Sequence, residues 1–356
     1  MDKFDYKKYE EAFTFNKPIQ YIPIKIQNQI IELNNQYQMI LQGKDKKLEN
    51  EKLELYKETI GILQKIYNIE QDLQKDSDSK DDEGLLIFKE KLDSELEQLK
   101  EKQINLQKNR LEEIKNKMNE LSNQCIHIYP VALKDYFMFY STISCLIIEK
   151  DKSSDIRVLS MAYLDFLFDL IENDENKQAF AYMFMTILKL TLKIKDKDIE
   201  YRTNGKHREL IINKIILDRK DFDNIRRIIC YQNMPDYDDT YIDPDLERVI
   251  KTTERIENKD SASISLEGQI DAVIASTSYK YNELYELPIR RFVLLLREVD
   301  SKLHYQIYKT GEVGGMVTFK EPIPYWIYSH KKNRVEGKLI NFNDFKNHVG
   351  KALSFD

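Results

Sequence analysis

Glycine and proline are scarce in this chain, at 10 and 8 of 356 residues. So few turn formers exclude a loop-dominated or collagen-like protein and predict a mainly helical one. Cysteine is scarcer still. Cys125, Cys145 and Cys230 are odd in number and lack metal-type spacing, which argues against a disulfide framework and for small buried hydrophobes in a reducing compartment. No run approaches about 18 apolar residues, so no membrane span is read. The acidic, amphipathic opening MDKFDYKKYEEAFTF has no apolar core of signal length, and the chain reads as a cytoplasmic protein. Neither sign of charge is blocked: 55 Lys and Arg are interspersed among 61 Asp and Glu, for a formal charge of −6. That excludes the basic footprint of a nucleic-acid or anionic-lipid binder. The five histidines, at 127, 207, 304, 330 and 348, never pair at ligand spacing. There is no G-x-S-x-G elbow and no Gly-rich phosphate loop before a Lys-Ser/Thr. The sequence therefore predicts no enzyme, no catalytic residue and no cofactor, leaving an enzyme with an unrecognised site as a remote alternative.

What is abundant is helix-forming sequence. Residues 24–122 are Lys, Glu, Gln and Asn with spaced Leu and Ile, and contain no proline. Ile26, Ile30, Leu33, Tyr37 and Ile40 recur at steps of four and three, and Leu48, Leu55, Ile62, Ile66, Ile69 and Leu73 resume the stripe after Gly43 and Lys44-Asp45. A second run carries Leu92, Leu96, Leu99, Ile104 and Leu106, then Leu111, Ile114, Met118 and Leu121. The acidic segment DSDSKDDEG at 76–84 separates the two. The simplest structure is a long antiparallel helical hairpin, a coiled-coil arm that folds back at that loop. A homo-oligomeric coiled coil is the alternative, disfavoured because the register slips between Leu106 and Leu111. Leu92, Leu99, Leu106, Met118 and Leu121 are the partner-binding candidates on this arm.

Around 123 aromatic residues become dense and the polarity pattern changes, which places a boundary there. The expected organisation is an N-terminal segment at 1–23, the arm at 24–122, a helical domain at 123–257 and a C-terminal helical subdomain at 258–356 with an extended aromatic tail. Stretches 131–149, 157–172 and 176–192 are apolar over most of their circumference, as buried helices are. A β-ribbon is predicted near 192–218, where LKIKD, IEYRT and RELIINKIILD alternate and Asn204-Gly205 signals a hairpin turn. Asp218 and Asp221 mark a helix start ahead of Phe222, Ile225, Ile228 and Ile229. A helix is also expected to open at Asp243-Pro244, and others at about 264–277 and 287–309. Trp326, in the Gly- and Pro-rich tail, is expected to lie over the helical core and is the last partner-binding candidate.

One acidic turn resembles a calcium loop. Asp236, Asp238, Thr240, Ile242 and Glu247 fall at positions 1, 3, 5, 7 and 12 of that frame. Tyr241 stands where the frame needs Gly, and Pro244 occupies position 9. The expectation is a helix-capping acidic turn and no metal site, with Asp236, Asp238 and Glu247 the only calcium candidates.

Four segments, IYPVALKDYFMFYSTISCLIIEKD (128–151), VLSMAYLDFLFDLIE (158–172), DFDNIRRIICYQNMPDYDDTYIDPDLE (221–247) and IRRFVLLLREVDSKLHYQIYKTGEVGGMVTFKEPIPYWIY (289–328), resemble in texture and order proteins from the tail-morphogenesis region of large low-GC bacteriophages. They span most of 128–330 and contain no catalytic motif; the arm lies outside the resemblance. The resemblance implies a tail or baseplate assembly chaperone of the host cytoplasm, holding an aggregation-prone partner such as the tape-measure protein before it polymerises. The alternative is a permanent structural component of the virion tail, neck or baseplate.

Overall fold

The computed structural model describes residues 5–75, 82–148, 150, 155–204, 207–238, 264–319 and 322–328. It is mainly α-helical with a three-stranded antiparallel sheet and a separate two-stranded sheet. The chain divides into two compact units, residues 20–126, and residues 1–19 with 127–356. Strands Ile19–Tyr21 (β1) and Ile126–Ile128 (β2) pair where the chain passes from one unit to the other.

The first unit is the predicted hairpin, built from Ile24–Leu41 (α2), Lys46–Lys75 (α3) and Asp82–Ser122 (α4), after the short helix Glu10–Phe15 (α1) of the other unit. At 1.5 Å per residue α4 is about 60 Å long, and it packs against both α2 and α3. The break between those two helices follows from four residues. Gly43 sits at φ +65°, where a side chain would be strained. The Gly43 N–H donates to the Ile40 carbonyl and the Lys44 N–H to the Met39 carbonyl, the paired closure that ends a helix. Asp45 then caps α3 by accepting from the Lys47 and Leu48 N–H groups at 2.9 and 3.1 Å. Gln107 of α4 spans the break, donating to the Ile40 carbonyl and accepting from Lys52 Nζ.

In the second unit, α7 (Tyr163–Asn173), α8 (Lys177–Leu192) and α9 (Arg219–Asn233) enclose Leu164, Leu167, Phe184, Ile187, Leu188, Phe222, Ile225 and Ile228, with the shorter Tyr136–Thr142 (α5) and Ile156–Ser160 (α6) beside them. The α9 start is as the sequence predicts: Asp218 accepts from the Lys220 and Asp221 N–H groups, and Asp221 accepts in return from the Asp218 N–H. Stretch 131–149 is not one helix. A 3-10 turn at Leu133–Asp135 leads into α5, and a second at Ile143–Leu146 follows it. The tightened end puts Ile143, Cys145 and Leu146 all in the core. Its carbonyls are satisfied from outside: the Tyr163 hydroxyl donates to Cys145, and Arg226 donates to Leu146.

Two features of the predicted ribbon differ. LKIKD does not form a strand, because α8 runs to Leu192 and closes on Lys193 in the left-handed region at φ 54°. RELIINKIILD is two strands rather than one. Ile199–Asn204 (β3) pairs with His207–Ile212 (β4), which pairs with Ile215–Leu217 (β5). The second turn is Asn213-Lys214, both at positive φ, as a two-residue hairpin turn requires.

Helices Leu266–Ser276 (α10), Tyr281–Tyr285 (α11) and Ile289–Val313 (α12) complete this unit. Ile270, Val273, Leu284 and Phe292 cluster with Leu133. Backbone bonds from Leu133 to Leu287 and from Ile289 to Val131 tie the carboxyl-terminal helices to residues 131–133. The amino-terminal segment also docks here: Phe13 is buried edge-on to Tyr231 at 4.6 Å, and Gln232 donates to the Lys17 carbonyl. The boundary expected near 257 and the helix expected from Asp243-Pro244 lie outside the described residues.

Candidate protein-binding surface

The hairpin seam explains what the candidate residues on α4 do. Leu92 and Leu96 are buried against Ile66 and Ile69. Nearer the hairpin's base, Leu106, Leu111 and Met118 pack around the buried Ile40, Leu48 and Ile114. The polar seam positions are paired across it, Gln103 donating to the Thr59 hydroxyl at 3.1 Å and Lys89 meeting Glu70 at 2.6 Å. Leu92 is 4% exposed, and Leu99, Leu106, Met118 and Leu121 are half-buried. The stripe proposed from sequence as a binding face is the seam of the protein's own hairpin, because an apolar row facing a sister helix of the same chain meets it at far higher effective concentration than any partner.

A second row on α3 is not covered. Leu53, Tyr56, Ile60, Leu63 and Tyr67 are 52, 56, 54, 47 and 61% exposed. Their steps are three, four, three and four, the spacing of a coiled-coil seam. Each lies one residue beyond an inward neighbour, Lys52, Leu55, Thr59, Ile62 or Ile66, and so about 100° further round the helix. On α4, Ile104 stands one residue beyond Gln103, as Ile60 stands one beyond its partner Thr59, and it is 76% exposed. In an antiparallel pair, equal steps beyond the seam turn both helices toward the same face. Ile104 therefore shares the face of the α3 row, while the equivalent α4 positions Glu97, Lys100 and Lys108 are charged. Sequence reading followed only the inward stripe; the outward one was equally visible in its spacing.

The other candidates lie in the globular unit. Trp326 is half-buried on the carboxyl-terminal half of α12, where it lines a small groove with His304, Tyr305, Tyr308 and Pro324. It covers a helix flank, not the central core. Asp236 is held by the Arg297 guanidinium in a two-pronged pair, so its carboxylate is engaged in an ion pair. Glu247, the third calcium candidate, lies outside the described residues. Among the described residues no group of three His, Cys, Asp or Glu side chains could hold a metal ion. A shallow groove between α1 and α12 carries Arg290, but that guanidinium stacks on Tyr231 at 4.7 Å and donates to the Tyr231 carbonyl. Burial holds its pKa below the usual arginine range. Asp165 lies 3.4 Å from His207 and accepts from the Arg208 N–H, fastening β4 to α7. Burial pushes the Cys145 thiol up to about 12, which makes it inert as a nucleophile.

No helix among the described residues is long and apolar enough to cross a membrane. No family model, curated protein or solved structure matches the chain.

Proposed function

We propose that this protein acts by binding other protein chains, as an assembly chaperone for a tail or baseplate component of a bacteriophage. The observation that carries the reading is the outward row of α3, five large apolar side chains each about half in water at helix-pairing spacing. Its ligand is an amphipathic helix with a matching heptad stripe, of the kind a tape-measure protein carries along its length, laid onto the row as helices dock in apolar grooves. Covering a half-exposed Leu, Ile or Tyr stabilises by on the order of 1 kcal/mol. Five of them give on the order of 5 kcal/mol before the cost of association is subtracted. That suits reversible holding better than permanent incorporation, and it masks a sticky stripe until the client polymerises. The link to phage tails rests on the resemblance of residues 128–330. The chemistry proposed is binding, with no turnover and no cofactor.

The test is coexpression with helical segments of a tape-measure or baseplate protein. The wild-type chain should copurify with one of them, and Leu63→Lys should abolish the complex while leaving helical content unchanged. Mass spectrometry of purified particles should find the protein absent or scarce. Stoichiometric amounts in the virion would replace the chaperone with a permanent structural component, and a complex indifferent to Leu63→Lys would remove the row from the account.

A further inference from the structure

Reversed, the outward row exchanges its leucines and tyrosines, Leu-Tyr-Ile-Leu-Tyr becoming Tyr-Leu-Ile-Tyr-Leu. Ile60 stands at the middle of α3 (Lys46–Lys75), with Tyr56 and Leu63 on either side and Leu53 and Tyr67 beyond them. Turned end for end about Ile60, the row lays each Tyr beside a Leu, so large and smaller side chains interleave. On α2 the corresponding outward positions are mixed: Gln27, Asn34 and Gln38 are polar, while Ile31 and Leu41 are exposed apolar residues.

We propose that, without a client, this row is covered by a second copy of the chain, α3 lying antiparallel on α3 of the other molecule about a two-fold axis near Ile60. The inference rests on the outward row being a protein-binding face and supplies its regulation: the client must displace the second copy. Two-fold symmetry offers two ways to stack one hairpin face on another. An axis parallel to the helices sets each α3 row over the other copy's α4, where Glu97, Lys100 and Lys108 would be buried against apolar side chains. An axis across the helices sets row on row and Ile104 on the Ile104 side, and in that arrangement α3 runs antiparallel to its mate. The flanking charges agree. Lys57 then comes beside Gln64 of the other copy, so no like charges oppose, whereas a parallel pair of α3 helices sets Lys52 beside Lys57 on both sides.

The full-length chain is tested alone, by sedimentation equilibrium and by crosslinking with a short bismaleimide in a Cys125→Ser background that leaves only the buried Cys145 and Cys230. The expected result is a dimer that Ile60→Asp weakens at least tenfold. Gln64→Glu, which sets a carboxylate beside Lys57 twice per dimer, should strengthen it several-fold at low salt, a gain that misfolding cannot mimic. Ile60→Cys should crosslink to itself, and Leu53→Cys should crosslink to a Tyr67→Cys chain but not to itself, because antiparallel mates hold the two Leu53 positions about 21 Å apart along the axis. Crosslinking of Leu53→Cys to itself, or weakening by Gln64→Glu, overturns the antiparallel arrangement. A wild-type chain that stays monomeric overturns self-covering altogether. If that monomer still captures a tail helix through Leu63, the binding function survives; if it captures none, both fall.

Discussion

The globular unit and the hairpin treat their apolar side chains differently. Around α7, α8 and α9, residues such as Phe139, Leu164, Leu167, Ile187 and Ile228 are 0% exposed, enclosed from every direction. On α3 only one of two parallel rows is enclosed, and the other, one residue further along, is half in water. A three-dimensional core can surround a side chain, whereas a two-helix rod has room to bury a single stripe per helix. An unburied second stripe on such a rod costs solubility unless something covers it, which is why the hairpin, and not the better-packed unit, carries the functional proposal.

That contrast can be tested by truncating one side chain in each setting. In the globular unit, Phe139→Ala removes a fully enclosed ring and should cost roughly 3–5 kcal/mol in urea unfolding. A cost under about 1 kcal/mol would mean the cavity collapses and the core is not close-packed. In the hairpin seam, Leu92→Ala should cost roughly 2–3 kcal/mol, toward the low end for a core leucine because its surroundings are open on two sides and can relax. The loss should appear as earlier unfolding of the residue 82–122 amides by hydrogen exchange, and unchanged protection there would dissociate Leu92 from the seam. On the outward row, Leu63→Gln should shift stability of the monomer by less than about 0.5 kcal/mol. If it destabilises as much as Leu92→Ala, the row is internally packed and both binding proposals lose their basis.

Much of the architecture was legible because it rests on local chemistry. Gly43 followed by Asp45 announces a helix stop and a helix start, and both groups do that work through the hydrogen bonds described. The Asp218 and Asp221 pair announces α9 for the same reason. Other features were hidden because a distant group decides them. The tightening of 143–146 depends on Tyr163 and Arg226, 18 and 80 residues away in sequence from the carbonyls they satisfy. LKIKD alternates like a strand, yet Leu192 and Thr191 belong to the buried face of α8. The Asn213-Lys214 turn carries only one residue with a tolerance for positive φ, too little to divide RELIINKIILD by composition.

By itself the sequence determined that this is a mainly helical protein with a long hairpin in which Gly43 interrupts one limb, since periodicity and capping act within a few residues of backbone. Only the tertiary structure decided which of two interleaved stripes on α3 turns inward. Both have helical spacing, so the choice falls to the partner surface: α4 offers Leu92 and Leu96, against which Ile62, Ile66 and Ile69 pack, and the neighbouring α3 row, about 100° away, is left to the solvent.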